Sequence, residues 1–201
     1  MEFKYQENNF GYYELIYSEN RSINALCDTG AGACSIDLYS LEVLIGHKAK
    51  DILNIVNRKI ASGIKIMGMN TASGRLDRVI PLELNNVRLA GRHFEKFYTY
   101  LNIDNELWKN NGFVEYNGVK QKVPAHILIG LNLLRCGELK GNSNVIKIEN
   151  FNYDIYLEHN KRLMNQSINS YQLSKLLTPK LTTQEIVAEL VTNMVAQKNN
   201  R

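Results

Sequence analysis

Cysteine is scarce in this chain, and what there is does not pair. Cys27, Cys34 and Cys136 are three in number and form no Cys-x-x-Cys spacing. Reduced thiols suit that pattern better than a disulfide framework or a zinc knuckle. The four histidines, His47, His93, His126 and His159, also lack ligand-like spacing, so no metal is expected. No run of about 18 apolar residues offers a membrane span. The opening Met-Glu-Phe-Lys-Tyr-Gln-Glu-Asn-Asn lacks the basic-then-apolar layout of a secretory signal, so the expectation is a cytoplasmic protein without a membrane partner. Basic blocks are missing as well. The 24 Lys and Arg stand scattered among 20 Asp and Glu, and the net charge of +4 does not imply a nucleic-acid partner.

What remains is an ordinary globular composition. With 201 residues, 44% of them hydrophobic and 22% charged, the chain fits one domain with an appendage. Tyr12 to Tyr17 and Ile23 to Leu26 are β-prone stretches around the turn-like Ser18-Glu19-Asn20-Arg21, which predicts a hairpin. Its second strand runs straight into Cys27-Asp28-Thr29-Gly30-Ala31-Gly32-Ala33, where small residues permit a tight turn. An acid therefore stands at a strand-to-loop junction.

Residues from Leu38 to Ile60 suit one or two helices broken near Gly46. Ile64-Lys65-Ile66-Met67 alternates as a strand, Gly68 to Gly74 is small and polar, and Arg75 to Leu84 alternates again, which together predict a long hairpin with a flexible tip. Phe94 to Leu101 and Val119 to Val123 are further strand-like runs around a polar insertion holding Trp108. Ala125-His126-Ile127-Leu128-Ile129-Gly130 reads as a strand buried on both sides, with a short helix over Leu131 to Leu134. Val145 to Ile148 and Tyr153 to Leu157 are expected to close the β-rich part. Beyond Thr178-Pro179, Thr182-x-x-Glu185 makes a capping box. After it, Ile186, Val187, Leu190, Val191, Met194 and Val195 form one apolar helical face.

A carboxylate can activate water for amide hydrolysis, but a lone exposed aspartate is a poor base and cannot also act as the acid. A second carboxyl about 3 Å away changes this, because the two share one proton and divide the roles. The chain carries a single Asp-Thr-Gly, at Asp28-Thr29-Gly30, with no second Asp-Thr-Gly or Asp-Ser-Gly. If the acid works this way, two-fold symmetry must supply its twin. On its own the tripeptide is equally an Asx turn between strands.

Set in Ala25-Leu26-Cys27-Asp28-Thr29-Gly30-Ala31 and followed by Ile127-Leu128-Ile129-Gly130-Leu131-Asn132-Leu133-Leu134, the motif resembles the retropepsin-like aspartic proteases over residues 10 to 157. Ile129-Gly130-Leu131-Asn132 with the later Lys140-Gly141-Asn142-x-x-Val145-Ile146 is most similar to the protease segment of plant pararetrovirus polyproteins, the badnavirus and tungrovirus kind.

The resemblance implies a mainly β chain, a closed β-barrel half with short helices and a C-terminal helix. Residues 1–157 would form the protease domain, and 158–201 a linker and C-terminal amphipathic helix. It implies an endopeptidase active as a homodimer, without a cofactor, cutting its own viral polyprotein in the host cytoplasm or virus particle.

By the same resemblance Asp28 is the catalytic acid, Thr29 the clasp across the dimer, Gly30 a contact to substrate backbone and Ala31 a cleft residue. Gly68, Met69, Asn70, Thr71, Ala72, Ser73 and Gly74 form the substrate-covering flap, and Ile129 and Gly130 support the loop from beneath. One departure stands out. Where many retroviral members place an Asp beyond the loop glycine and an Arg after the later Gly, this chain has Gly32 and Leu131, so no charge is left unpaired.

Other readings stay open. Asp28 to Gly32 is also similar to the first phosphate loop of actin-like and sugar-kinase ATPases, though those need a second such loop and about twice the length. A non-catalytic dimerisation or peptide-binding module on the same fold is the stronger rival. A Cys or Ser nucleophile at Cys27, Cys34 or Ser35 lacks a His placed by any motif.

Overall fold

Short apolar runs between tight turns build a curled sheet with helices at its margins. The computed structural model describes residues 1–4, 12–18, 21–71, 74–142 and 145–177. In chain order, β1 (Glu2–Lys4) precedes a hairpin of β2 (Tyr12–Ser18) and β3 (Arg21–Cys27), then β4 (Ser35–Asp37), α1 (Leu38–Ile45) and α2 (Ala49–Ala61). β5 (Met67–Asn70), the long β6 (Leu76–Leu89) and β7 (Arg92–Asn102) form a meander. A 3-10 turn at Leu107–Asn110, a separate hairpin of β8 (Phe113–Tyr116) and β9 (Val119–Lys122), and β10 (His126–Ile129) lead to α3 (Leu131–Leu134). Then come β11 (Glu138–Asn142), β12 (Val145–Glu149), α4 (Tyr153–Met164), β13 (Ile168–Asn169) and α5 (Ser170–Leu177).

Six strands close a ring. β6 pairs with β2, β2 with β3, β3 with β10, β10 with β4, β4 with β7, and β7 returns to β6. The mainly β architecture expected from the sequence is what forms. β10 lies between β3 and β4, parallel to the first and antiparallel to the second. The loop that joins β3 to β4 must therefore cross the end of β10, and this crossing positions Asp28.

The core is continuous. Ile36, Ile80, Leu82, Leu84, Leu101, Ile127 and Ile129 are all buried, each contributing about 1.5–3 kcal/mol of transfer free energy. Phe94 stands edge-on to Phe97 with ring centroids 5.4 Å apart. The buried Tyr156 hydroxyl accepts a hydrogen bond from the Tyr98 amide at 2.8 Å, so its polar end is satisfied. No helix among the described residues is long and apolar enough to cross a membrane.

Three expectations change. Ile64 to Ile66 are not strand: Gly63 N–H donates to the Ile60 carbonyl and Ile64 N–H to the Lys59 carbonyl, a closing pattern that ends α2 and holds Ile64 against the core. The strand starts only at Met67. Tyr153 to Leu157 are helix. Their alternation fits a strand, but Asn152 caps the segment by accepting from Asp154 and Ile155 amides, and Tyr156, Asn160 and Leu163 bury at helical spacing. Residues 158–177, read as linker, lie largely in α4 and α5, with Asn160, Leu163, Ile168 and Leu173 buried. The expected helix over Thr182 to Val195 lies outside the described residues.

Candidate active site: the Asp28 loop

β3 carries the acid to the end of the ring. Ile23 and Ala25 turn inward, the strand ends at Cys27, and Asp28 still donates its amide to the carbonyl of Ile129, the last residue of β10, at 3.0 Å. From there the chain turns back: Ala31 N–H donates to the Asp28 carbonyl at 3.2 Å, and Gly30 N–H donates to Asp28 Oδ1 at 2.8 Å. The last bond fixes the carboxylate's rotation. Asp28 is half-buried, while Thr29 and Gly30 are exposed.

The loop is bolted to the start of α3, just past β10. Leu131 N–H donates to the Ala31 carbonyl at 2.8 Å and Asn132 N–H to the Gly32 carbonyl at 3.2 Å. Where a Gly32 and Leu131 pair excludes a side-chain ion pair, backbone bonds between the same two segments hold the loop instead. Gly130 permits the contact. A Cβ there would lie 2.4 Å from the Ala33 carbonyl carbon and 2.8 Å from the Ala31 oxygen.

Asn132 was quoted from the sequence only as part of a motif, with no role of its own, and it is central. Its Oδ1 accepts from Cys34 N–H at 2.8 Å, and its Nδ2 donates to Asn160 Oδ1 at 2.8 Å. Asn160 Nδ2 in turn donates to the Tyr156 carbonyl at 2.7 Å. A relay of amides thus ties the far end of the loop to α4. A polar residue within the apolar Ile127 to Leu134 run was the signal available for it. Replacing Asn132 by Ala strands the Cys34 donor and the Asn160 acceptor, which should cost about 1–3 kcal/mol, read as a lower urea midpoint.

Of the sequence-derived site residues, Asp28, Thr29, Gly30, Ala31, Ile129 and Gly130 come together in this loop. The proposed flap lies on the β5–β6 hairpin, but Gly68, Met69 and Asn70 belong to strand β5, and just past it Thr71 N–H donates to the Arg75 carbonyl at 2.8 Å. Ala72 and Ser73 are outside the described residues. The Leu76 side chain covers Gly68. Since β7 reaches β6 only up to the Val79 and Asn102 pair, the hairpin projects beyond the ring.

Two forked ion pairs anchor the root of that hairpin. Arg75 donates to both oxygens of the buried Asp77, which also accepts from Asn102 Nδ2 at 2.7 Å. Arg78 donates to Asp104 through its side chain, at 2.7 Å from Nη2, and through its backbone N–H, also at 2.7 Å. Hydrogen bonds from these arginines hold both carboxyls below the usual carboxylate range. Depressed values stabilise the fold fully above the unfolded carboxyl value of about 4, and that contribution is lost as pH falls through the lower folded values. Protection factors for hydrogen exchange at the Met69 and Asp77 amides, taken relative to the intrinsic rate at each pH, should fall below about pH 4 in wild type. In Asp77→Asn the same exchange should already be fast at neutral pH.

Burial disfavours the thiolate form of the cysteines around the loop. Burial pushes Cys27 and Cys34 up to about 12 and Cys136 up to about 11, so all three stay protonated near neutrality. Cys27 ends β3 and Cys34 immediately precedes β4, and β10 lies between those two strands. Two strand spacings, about 9–10 Å, are too wide for a disulfide. The next acid along the chain, Asp37, is committed as the cap of α1, accepting from Ser40 N–H at 2.8 Å, and burial raises its pKa. It offers Asp28 no partner within the chain.

No family model matches the chain, and no curated protein matches it by sequence. Among solved structures it is similar to a retropepsin-like aspartic protease from Rickettsia conorii, at 15% identity and a TM-score of 0.38, covering 73% of this chain and 95% of that one. It is also similar to the retroviral protease-like domain of Ddi1 from Leishmania major, at 17% identity and a TM-score of 0.35, covering 70% of this chain and 88% of the other.

Proposed function

We propose that the chain is one half of an aspartic endopeptidase, in which Asp28 acts together with Asp28 of a second copy. The observation that carries this reading is the Asp28 loop itself. A half-exposed carboxylate, its rotation set by Gly30 N–H, stands on a loop fixed over the end of β10 by backbone bonds. Rigid presentation of an acid at the rim of a closed sheet is what a symmetric dyad needs.

In the dyad one proton is shared. The ionised carboxylate takes a proton from water as the water attacks the scissile carbonyl carbon, and the protonated partner gives its proton to the carbonyl oxygen. Collapse of the tetrahedral intermediate then breaks the C–N bond as the nitrogen is protonated. Thr29 suits the clasp role, because its side chain is exposed and has no partner among the described residues. The β5–β6 hairpin, projecting past the ring, would close over an extended peptide. The substrate is a polypeptide of the precursor kind that the motif resemblance implies, with a pararetrovirus polyprotein as its finest placement.

The test is the order of the reaction in protein. Peptide hydrolysis per mole of chain should rise with chain concentration through the dimerisation range followed by sedimentation, then level off. Specific activity that is constant from far below the dimer dissociation constant upward would sink the shared-site reading.

A further inference from the structure

Away from the Asp28 loop, α2 and the Trp108 turn enclose a pocket of about 220 Å³. Leu53 and Asn57 of α2 form one side, Arg78 of β6 another, and a run holding Ile103 and Trp108 the third. Pockets for drug-sized ligands span about 300–1,000 Å³, so this one is sized for a single large side chain. Its walls are fixed by backbone bonds. Asn102 Oδ1 accepts from the Asp104 and Asn105 amides, Asn105 Oδ1 accepts from Leu107 N–H, and Ile103 N–H donates to the Arg78 carbonyl at 3.1 Å.

The lining selects what fits. Leu53, Ile103 and the half-buried indole of Trp108 supply apolar surface, on which an aromatic ring packs by offset stacking or edge-on. The charges stand in neutral pairs, Arg78 with Asp104 at 2.7 Å and Lys109 with Glu106. An ionic ligand would have to displace a partner already in place, so a neutral one is favoured. Three polar groups have no partner among the described residues: the Trp108 indole N–H, the Asn57 side-chain amide and Arg78 Nη1. A ring that bears an oxygen can accept from such donors, and a plain benzene ring cannot.

We propose that this pocket is a subsite for a tyrosine side chain of the polypeptide substrate, remote from the scissile bond. The fit of a phenol ring stands on the pocket alone, whereas its assignment to the substrate rests on the protease reading. Arg78 lies opposite Gly68 in the β5–β6 hairpin, so a ring seated in the pocket packs against the hairpin's root. Binding energy gained there helps to hold the hairpin over the peptide.

Trp108 is the only tryptophan in the sequence, so its fluorescence reports on the pocket without any need for activity. Excited where tyrosine does not absorb, the intact chain should respond saturably to N-acetyltyrosinamide. N-acetylphenylalaninamide should bind more weakly, and N-acetylalaninamide should leave the emission unchanged. Asn57→Phe, at an exposed position of α2, puts a ring into the pocket and should abolish the response. In hydrolysis, one tyrosine is moved through the flanking positions of a cleaved peptide. At one position kcat/KM should exceed that of the alanine version on the order of tenfold, and Asn57→Phe should bring the ratio to about one. A ratio within one variant cancels any general loss of fold or activity. No saturable response, or equal binding of the tyrosine and phenylalanine amides, would overturn the inference. Binding with no positional preference in hydrolysis would overturn the assignment to the substrate. Binding without hydrolysis of any peptide would defeat the protease reading and leave the phenol site standing.

Discussion

Asp28→Asn should lower peptide hydrolysis by on the order of a thousandfold or more while the urea midpoint stays within error of wild type. The two halves of that expectation come from different atoms. Asparagine keeps an Oδ1 acceptor, so the Gly30 N–H bond at 2.8 Å survives, and the backbone bonds from Asp28 to Ile129 and from Ala31 to Asp28 do not involve the side chain. What disappears is the capacity to take a proton from water and return it. A general acid–base pair is worth about 10²–10⁴ in rate, and the substitution removes both members because each copy contributes the same residue. Dimerisation should persist, since two neutral amides face each other without the repulsion of two carboxylates. Hydrolysis unchanged in Asp28→Asn, measured on a purified peptide with mass-spectrometric detection of products, would defeat the protease reading and favour a peptide-binding module.

How much of this was legible in the sequence differs between the loop and its surroundings. Asp28 at a strand end, Gly130 after an apolar run and the helices over α1 and α2 were all readable, because each depends on neighbours within a few residues. The insertion of β10 between β3 and β4 was not, since it joins segments about a hundred residues apart and leaves no local periodicity. The partner of Asn132 was not legible either: a polar residue in an apolar run marks Asn132, but nothing local points to Asn160, 28 residues on.

Some misses had a local signal that was outweighed. Tyr153, Ile155 and Leu157 alternate as in a strand, yet Asn152 before them is a helix cap, and the cap decided the outcome. β8 was missed although Asn117-Gly118 takes the two successive positive φ angles, 51° and 76°, of a two-residue hairpin turn. Ile64 to Met67 alternate too, but closing α2 required the first of them.

Gly130→Ala should be strongly damaging for a single methyl group. Its Cβ would sit 2.4 Å from the carbonyl carbon of Ala33, 2.5 Å from the Ala33 oxygen and 2.8 Å from the Ala31 oxygen. All three are backbone atoms, so no side-chain rotation can make room. The loop must lift instead, and lifting it breaks the Leu131 to Ala31 and Asn132 to Gly32 bonds and loosens the Asp28 to Ile129 bond. Overpacking a rigid site costs about 1–3 kcal/mol before any hydrogen bond is lost, so a total on the order of 3–4 kcal/mol is expected. For a chain of this length that is a fall of roughly 10 °C in Tm, readable by calorimetry. Activity should fall further than stability, because the carboxylate's position moves with the loop. Gly32→Ala is the matched control. It lies in the same loop, exposed, and a methyl group added there would meet no atom within 4 Å. Its stability should stay unchanged or rise by about 0.4–1 kcal/mol through the unfolded state. Equal losses in the two variants would mean that close backbone contact at Gly130 is not what holds the loop over the end of β10.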